Sequence, residues 1–395
     1  MSKETTKYAF ILGHVPDLSV AEIICLLKKQ TVDFEEILQS KEALIIEANQ
    51  ELDVLALQNR LGGVIKIIAI LSKTSKENLS ENIEEIVKAS AYAKASADKQ
   101  KFQFGFSLYG KTVVKEFQQL GLTIKRELKE QGTLCRFVVS KEKSLSAVII
   151  KKEHLLGQGL DLVVIENQGE YYLGETLAIQ DFEAYSARDY GRPSRDDKSG
   201  MLPPKLAQIM INLAGAKPAD VLLDSFCGSG TVLQEALMLG YKNIIGSDIS
   251  AKAIADCRNN ISWLKTKYNF KIDGVKMYEL DVRNLVHKVA LATVDAIVTE
   301  PYLGEPDKSK LKTQKFEDLE NLYLDSFKQF YKVLKSGGKA VMILPIINGQ
   351  KMEILDAVQK IGFIIDKLGQ SERGSIIYGR EGQMVEREIF VFVKN

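Results

Sequence analysis

After Pro218, short apolar strands and helical stretches alternate along the chain, and this alternation restricts the fold more than any other feature of the sequence. The strand segments are rich in Val, Ile and Leu and read DVLLDSFC, NIIGSDI, VKMYELD, DAIVTEP and KAVMILPI. Such strands, separated mostly by helices, are typical of a parallel sheet covered on both faces. The last two segments, FIIDKLG and EREIFVFVKN, have no helix between them. We therefore predict an α/β domain with a seven-stranded, mostly parallel sheet and an antiparallel end strand.

The first part of the chain has a different pattern, and a length of 395 residues is sufficient for two domains. The segments YAFILG, KFQFGFSLYG, CRFVVS and SLSAVII resemble strands, and residues 113–130 resemble a helix. Turn-forming and charged residues in YSARDYGRPSRDDKSG then mark an exposed connector. We predict an N-terminal α+β domain over residues 1–180, a connector over residues 181–202 and the α/β domain over residues 203–395.

The balance of charge limits how the chain can bind nucleic acid. It has 53 basic residues (Lys and Arg) and 52 acidic ones, a formal net charge of +1, so such binding would need a local patch. Residues 99–152 contain twelve Lys and Arg against four Asp and Glu. This segment could supply phosphate contacts, although a solvated helix face has a similar composition.

Cysteines and apolar runs exclude other classes. The four cysteines lie far apart without a C-x-x-C pair, so we expect neither a metal site nor a disulfide framework. No stretch approaches the ~20 apolar residues of a membrane span, and the N-terminus lacks the apolar core of a signal peptide. We therefore expect a soluble, cytoplasmic protein with no membrane contact and no metal.

Polar residues follow the first strands of the predicted α/β sheet, at the edge where such sheets bind ligands. Asp224 begins a loop in which Gly228 and Gly230 allow a ligand to approach the backbone. Asp248 ends the second strand, where it could accept ribose hydroxyls, and Asp281 ends the third, where it could accept an adenine amino group. Each aspartate alone could be a helix N-cap. At successive strand ends, they together predict a nucleoside pocket.

The segment Thr299–Gly304 follows the fourth strand and reads TEPYLG. It combines a carboxylate, a backbone fixed by proline and an aromatic ring. Hydrogen-bond acceptors around a planar amino group polarise it, and an aromatic ring can stack on a base. Taken alone, the segment is equally a strand-ending turn.

The order of DSFCGSGT, GSDI, LDV and VTEPYLG resembles the class I methyltransferases, which have a Rossmann-like fold and use S-adenosylmethionine. More narrowly, DFEAYSARDYGRP, MLPPKLAQIMINLA and QMVEREI resemble the tRNA guanosine-N2 methyltransferases that modify position 10 of the D-stem. The resemblance is close over residues 180–395. It is looser over the first part, where that family has a THUMP RNA-binding domain and where KRELKEQG and Leu155-Leu156 fit such a module.

The resemblance implies S-adenosylmethionine as cofactor, tRNA as partner and guanine N2 as the methylated atom. It makes no prediction of a protein partner. The cofactor-binding residues that it implies are Asp224, Phe226, Cys227, Gly228, Ser229, Gly230, Thr231, Asp248, Ile249, Asp281 and Val282. The RNA-binding residues that it implies are Lys125, Arg126, Lys151, Lys152, Arg188 and Arg192. The catalytic residues that it implies are Glu300, Pro301 and Tyr302.

One motif departs from the family pattern, which is Asp-Pro-Pro-Tyr followed by Gly. Here Glu300 replaces the Asp, Tyr302 takes the place of the second Pro, and Leu303 that of the Tyr. Two other functions stay open. One is a DNA methyltransferase that acts on adenine N6 or cytosine N4, and the other is a non-catalytic RNA-binding protein that retains the cofactor fold.

Overall fold

The structure is a computed structural model that describes residues 5–95, 101–195, 201–271, 273–304, 316–380 and 382–395. The described residues form two compact units. The first unit comprises the residues up to Pro16, Gln30–Asn59 and Val64–Phe182. The second unit comprises Asp17–Lys29, Arg60–Gly63 and the residues from Glu183 onward. The division into 1–180, 181–202 and 203–395 does not anticipate the two early segments of the second unit, and it stays a prediction.

The elements follow one another along the chain in two series. The first series is β1 (Thr6–Leu12), α1 (Pro16–Lys29), β2 (Phe34–Gln39), β3 (Ala43–Ala48), α2 (Val54–Arg60), β4 (Val64–Ser75), α3 (Leu79–Ala95), β5 (Phe102–Tyr109), α4 (Val114–Glu130), β6 (Cys135–Val138), α5 (Ala147–Lys152), β7 (Leu160–Asn167) and β8 (Glu170–Ile179). The second series is α6 (Phe182–Asp189), α7 (Pro204–Ala214), β9 (Val221–Asp224), α8 (Thr231–Met238), β10 (Asn243–Asp248), α9 (Ala251–Tyr268), β11 (Val275–Glu279), a 3-10 helix (Val282–His287), β12 (Val294–Thr299), α10 (Phe316–Val333), β13 (Leu334–Ile347), α11 (Leu355–Ile361), β14 (Phe363–Ile365), β15 (Ile376–Tyr378) and β16 (Val385–Lys394).

The first unit is built on a mixed sheet in the order β2-β3-β1-β4-β8-β7-β5-β6. Strand β5 is parallel to β6 and β7, and the other pairs are antiparallel. Helix α4 packs closely against this sheet, because a Cβ added at Gly121 would lie 2.2 Å from the ring of Phe137. The helix predicted at residues 113–130 and the strands in KFQFGFSLYG and CRFVVS are confirmed.

The strand predicted in SLSAVII is wrong, because that segment forms helix α5. The side chain of Ser146 caps this helix by accepting a hydrogen bond from the backbone N–H of Ile149. Serine at this position stabilises the first turn of a helix and outweighs the β propensity of the apolar residues that follow.

The second unit contains the predicted parallel sheet, in the order β11-β10-β9-β12-β13-β16-β14, with β15 paired to β16. The first five of these strands are parallel, and β16 is antiparallel to its neighbours β13, β14 and β15. Two details of the prediction are therefore wrong: the sheet has an eighth strand, and the antiparallel strand is not at its end. Residues 389–392 of β16 are almost completely buried, so this strand needs a neighbour on each side.

The antiparallel direction of β16 has a consequence for the site. Its first residues lie at the edge of the sheet where the parallel strands β12 and β13 end. Toward the other end of β16, an aromatic cluster of Phe327, Phe330, Phe363 and Phe392 packs helix α10 onto β14 and β16. None of the helices in the described ranges combines the length and apolar character that a membrane span requires.

Candidate active site

A pocket of about 620 Å³ opens at the carboxyl ends of the parallel strands in the second unit. A volume of this size is typical of cofactor sites. The predicted cofactor-binding and catalytic residues that line it are Asp224, Phe226, Cys227, Gly228, Ser229, Thr231, Asp248, Ile249, Asp281, Val282, Glu300, Pro301 and Tyr302. The structure thus brings together the residues that follow β9, β10, β11 and β12.

Gly230 does not line the pocket, but it turns the chain into helix α8 with a φ of +89°. A Cβ added there would lie 2.5 Å from Sγ of Cys257, so position 230 requires glycine. At Gly228, where φ is +50°, an added Cβ would have no neighbour within 4 Å. The loop is therefore tightly packed on one side and open at Gly228.

Asp248 shapes this loop from the end of β10. Its Oδ2 accepts a hydrogen bond from the backbone N–H of Gly228 at 3.0 Å, and its Oδ1 accepts one from the backbone N–H of Ser250 at 2.9 Å. A carboxylate has about four acceptor positions, so two remain for a ligand. The side chain of Ile249 next to it is 68% exposed and presents an apolar surface at the pocket.

Asp224 is buried at the end of β9 and joins two strands of the pocket. Its Oδ1 accepts hydrogen bonds from Oγ1 of Thr299 at 2.6 Å and from the backbone N–H of Phe226 at 3.1 Å. Burial raises the pKa of Asp224 to about 7, and the charges of Asp248 and Glu300 add to the rise, while the two hydrogen bonds oppose it. The pocket thus contains an acidic group that titrates near neutral pH.

Asp281 combines the two roles that its position allows. It lines the pocket and is also the N-cap of the 3-10 helix, accepting from the backbone N–H of Arg283 at 2.9 Å. The guanidinium of Arg283 also binds its carboxylate, and this hydrogen bond lowers the pKa of Asp281. The Asp281 carboxylate is therefore kept ionised at this side of the pocket.

Glu300 follows β12 and forms an ion pair that the sequence did not indicate. Nε of Arg387, on β16, donates to Oε1 of Glu300 at 2.5 Å. Burial raises the pKa of Glu300, and the charge of Arg387 opposes that rise. Beside this pair, the buried hydroxyl of Tyr323 donates to the backbone oxygen of Tyr302 at 2.7 Å, and the side chain of Tyr302 is 45% exposed.

Sequence reasoning missed the roles of Thr299, Tyr323 and Arg387. The segment QMVEREI, which contains Arg387, resembled the family motif but carried no assigned role. Its partner is 87 residues away, and only the antiparallel placement of β16 brings the two together.

The two arginines of the connector do not fit their predicted RNA-binding role, because both are buried and already bonded. Arg188 forms a two-pronged ion pair with Glu235, at 2.7 and 3.1 Å. Arg192 donates to Oγ1 of Thr231 at 2.7 Å and to Sδ of Met201. Neither guanidinium is available to an RNA phosphate, because Arg192 binds the first residue of helix α8 and Arg188 binds the middle of that helix.

Asn260 fixes the same connector to the glycine loop. Its completely buried side chain accepts from the backbone N–H of Ser194 and donates to the backbone oxygens of Ser194 and Ser229, at 2.8–2.9 Å. Ser194 is therefore held beside the glycine loop, and Met201 and Leu202, at the end of the connector, line the pocket.

The four predicted RNA-binding lysines and arginines of the first unit lie on two helices. Arg126 is exposed on α4 and Lys125 is half-buried there, while Lys151 and Lys152 are exposed on α5. The Lys151 ammonium group lies 5.8 Å from the centre of the Phe182 ring. Throughout the described residues, no group of three or more His, Cys, Asp or Glu side chains is placed to hold a metal ion.

Two family models match the chain. The first is described as an RMKL-like methyltransferase domain and matches residues 192–358. The second is described as a DNA methylase and matches residues 55–258.

A curated relative is the tRNA (guanine(10)-N2)-dimethyltransferase of Methanocaldococcus jannaschii, which is 30% identical over 47% of this chain and 48% of its own length. The chain thus spans about half the length of this relative. Among solved structures, TrmN from Thermus thermophilus has a TM-score of 0.58 at 17% identity, over 99% of this chain and 100% of its own. The structure of SMU.472 complexed with SAH has a TM-score of 0.53 at 11% identity, over 100% and 99%. At these identities, the structures support the fold alone.

Proposed function

We propose that this chain, which is similar to a tRNA (guanine-N2) methyltransferase over about half its length, methylates an exocyclic amino group in RNA, namely guanine N2 in tRNA. The observation that carries this proposal is the position of Glu300 and Pro301. These two acceptors lie at the pocket that also contains Asp224, Asp248 and Asp281. An amino group held by the acceptors would therefore meet a cofactor held by the aspartates.

The donor set of the pocket fits S-adenosylmethionine. Asp224 and the loop 226–231, which is open at Gly228, would hold the methionine part. Asp248 has acceptor positions left for the ribose hydroxyls, and Asp281 with Val282 would hold the adenine. When bound, this cofactor supplies an electrophilic methyl group.

Glu300 and the backbone oxygen of Pro301 would accept the hydrogens of the substrate amino group. These hydrogen bonds raise the electron density on the amino nitrogen before it attacks the methyl group. Once the nitrogen carries the methyl group it is cationic and acidic, so it releases one proton to the Glu300 carboxylate and no strong base is needed. Orientation of the two reactants would supply most of the rate. The exposed ring of Tyr302 is suited to stack on the base, which must be flipped out of any duplex to enter the pocket.

The first unit would bind tRNA as a THUMP-like module in the cytoplasm. Lys125, Arg126, Lys151 and Lys152 would contact phosphates, which makes binding salt-dependent. Their position on two helices of a mixed α+β unit supports this assignment.

The proposal is tested by methyl transfer from tritium-labelled S-adenosylmethionine to bulk tRNA and, in parallel, to plasmid DNA. We expect label in tRNA only. Label in DNA would instead favour a DNA amino-methyltransferase, the alternative supported by the DNA methylase match. Label in neither, with tRNA retained in a filter-binding assay, would identify a non-catalytic RNA-binding protein.

The role of Glu300 has its own test. We expect Glu300→Ala to abolish methyl transfer, because the main acceptor is lost, while S-adenosylhomocysteine still binds in isothermal titration. Glu317→Ala, at an exposed position on α10, is the matched control and should retain activity. Normal turnover in Glu300→Ala would remove Glu300 from the mechanism.

A further inference from the structure

We propose that Arg387 is a positioning residue that holds the Glu300 carboxylate ionised, with one oxygen bound to the guanidinium and the other open toward the substrate. The inference rests on the proposed function for what Glu300 accepts. The ion pair itself is a feature of the described structure. Nothing in the family resemblance assigns a role to Arg387.

The sheet topology explains how the two residues meet. Strand β13 lies between β12 and β16, with Thr299 opposite Met342 and Met342 opposite Phe390. Because β16 is antiparallel, Arg387 lies three residues beyond Phe390 in the direction in which β12 and β13 end, opposite Pro345. Arg387 therefore lies at the same edge of the sheet as Glu300, which follows β12, and its side chain reaches Glu300 from β16.

The contact leaves one carboxylate oxygen available. Oε1 accepts from Nε of Arg387, and hydrogen bonds between two ionised groups are stronger than neutral ones. The two side chains are only 12% (Glu300) and 16% (Arg387) exposed, so solvent screens the pair weakly. Within the part of the chain that the structure describes, Oε2 of Glu300 accepts no hydrogen bond, and Glu300 lines the pocket.

The groups around Glu300 make its charge dependent on Arg387. Asp224 on β9 is close enough for its pKa to be raised by the charge of Glu300, and so is the buried phenol of Tyr323 on α10. The neighbouring backbone oxygen of Tyr302 is bound by that phenol. Burial raises the pKa of Glu300 and so favours its neutral form, and the positive charge of Arg387 opposes that rise.

Loss of this cation would change the chemistry of the acceptor. A protonated carboxyl group presents an O–H donor on one of its oxygens, whereas the substrate amino group needs acceptors. Removing an opposite charge within hydrogen-bond distance shifts the pKa of a carboxyl group by about one to three units. Loss of Arg387 would therefore raise the pKa of Glu300 further and move its protonation to higher pH.

The test compares Arg387→Met with Arg387→Lys, which keeps the charge, and with Arg380→Met, which removes an exposed arginine from the turn before β16. For each variant, kcat and KM for tRNA are measured across the pH range, together with S-adenosylhomocysteine affinity. We expect Arg387→Met to lower kcat at pH 7 at least tenfold with little change in cofactor affinity, and to move the acidic limb of the kcat profile upward by at least one unit. Arg387→Lys should restore part of both effects, and Arg380→Met should leave the limb in place. An unmoved limb in Arg387→Met overturns the proposal, even if kcat falls.

A second readout does not need activity. Protein labelled with ¹³C at the glutamate carboxyl carbons is titrated by NMR, and the Glu300 signal is assigned by its loss in Glu300→Gln. We expect the midpoint for Glu300 to be at least one unit higher in Arg387→Met than in the unaltered protein, and equal midpoints overturn the proposal. If the unaltered protein methylates no tRNA, the proposed function fails, and this titration still decides the role of Arg387.

Discussion

Replacing Asp224 with asparagine should remove a pH dependence from the stability of the second unit. In the unfolded chain this carboxyl group ionises near pH 3.8, whereas in the folded protein burial holds it protonated up to about pH 7. Between these values the folded state binds more protons than the unfolded state. The stability that Asp224 contributes is therefore complete at low pH and is lost as the pH rises toward 7.

The size of the effect follows from the shift. At about 1.4 kcal/mol per pKa unit, titration of Asp224 lowers the free energy of unfolding by about 2.5 kcal/mol between pH 5 and pH 8. The amide of the Asp224→Asn variant could still accept the hydrogen bonds of Thr299 and Phe226 but cannot ionise. The difference in stability between Asp224→Asn and the unaltered protein should thus change by about 2.5 kcal/mol in favour of the variant over this range.

The chain has a natural probe for this measurement. Its one tryptophan, Trp263, lies on α9 in the second unit, so its fluorescence in urea reports the unfolding of the unit that contains Asp224. Asp273→Asn, at an exposed position, is the matched control. If the stabilities of Asp224→Asn and the unaltered protein stay parallel from pH 5 to pH 8, the account of Asp224 as a buried, protonated acid is refuted.

Two further predictions concern the walls of the pocket. Asp248→Ala should weaken the binding of S-adenosylhomocysteine about 10- to 100-fold in isothermal titration. The substitution removes charge-assisted hydrogen bonds to the ligand and the hydrogen bond that holds the backbone of Gly228. Unchanged affinity, as expected for the control Asp256→Ala, would refute the ribose assignment. Arg188→Met should lower the free energy of unfolding of the second unit by about 3–5 kcal/mol, because Glu235 stays buried without its partner. The double variant Arg188→Met/Glu235→Gln should recover much of this loss, and a single variant as stable as the unaltered protein would contradict the pairing.

Much of the second unit could be predicted because its signals are local. The strands β9, β10, β12 and β13 contain apolar runs, and turn residues follow them; β11, which reads VKMYE, is more polar. Since the ends of parallel strands meet at one edge, Asp224, Asp248, Asp281 and Glu300 were expected to converge, and they line one pocket.

The features that were missed depend on contacts between distant segments. The buried carboxylate of Glu22 on α1 accepts from the backbone N–H groups of Gly62 and Gly63 and from the side chain of Asn212. These bonds join three separate segments of the second unit, and no local sequence pattern indicates them. The burial of Arg188 likewise depends on Glu235, a residue 47 positions away on another helix.

We propose above all that this pocket brings a methyl donor to an amino group of tRNA. Mass spectrometry of the nucleosides in tRNA from cells that lack this protein tests it most directly. The account predicts that N2-methylated guanosine is lost or reduced and returns when the unaltered gene, but not Glu300→Ala, is restored. An unchanged set of methylated nucleosides in that tRNA would contradict it.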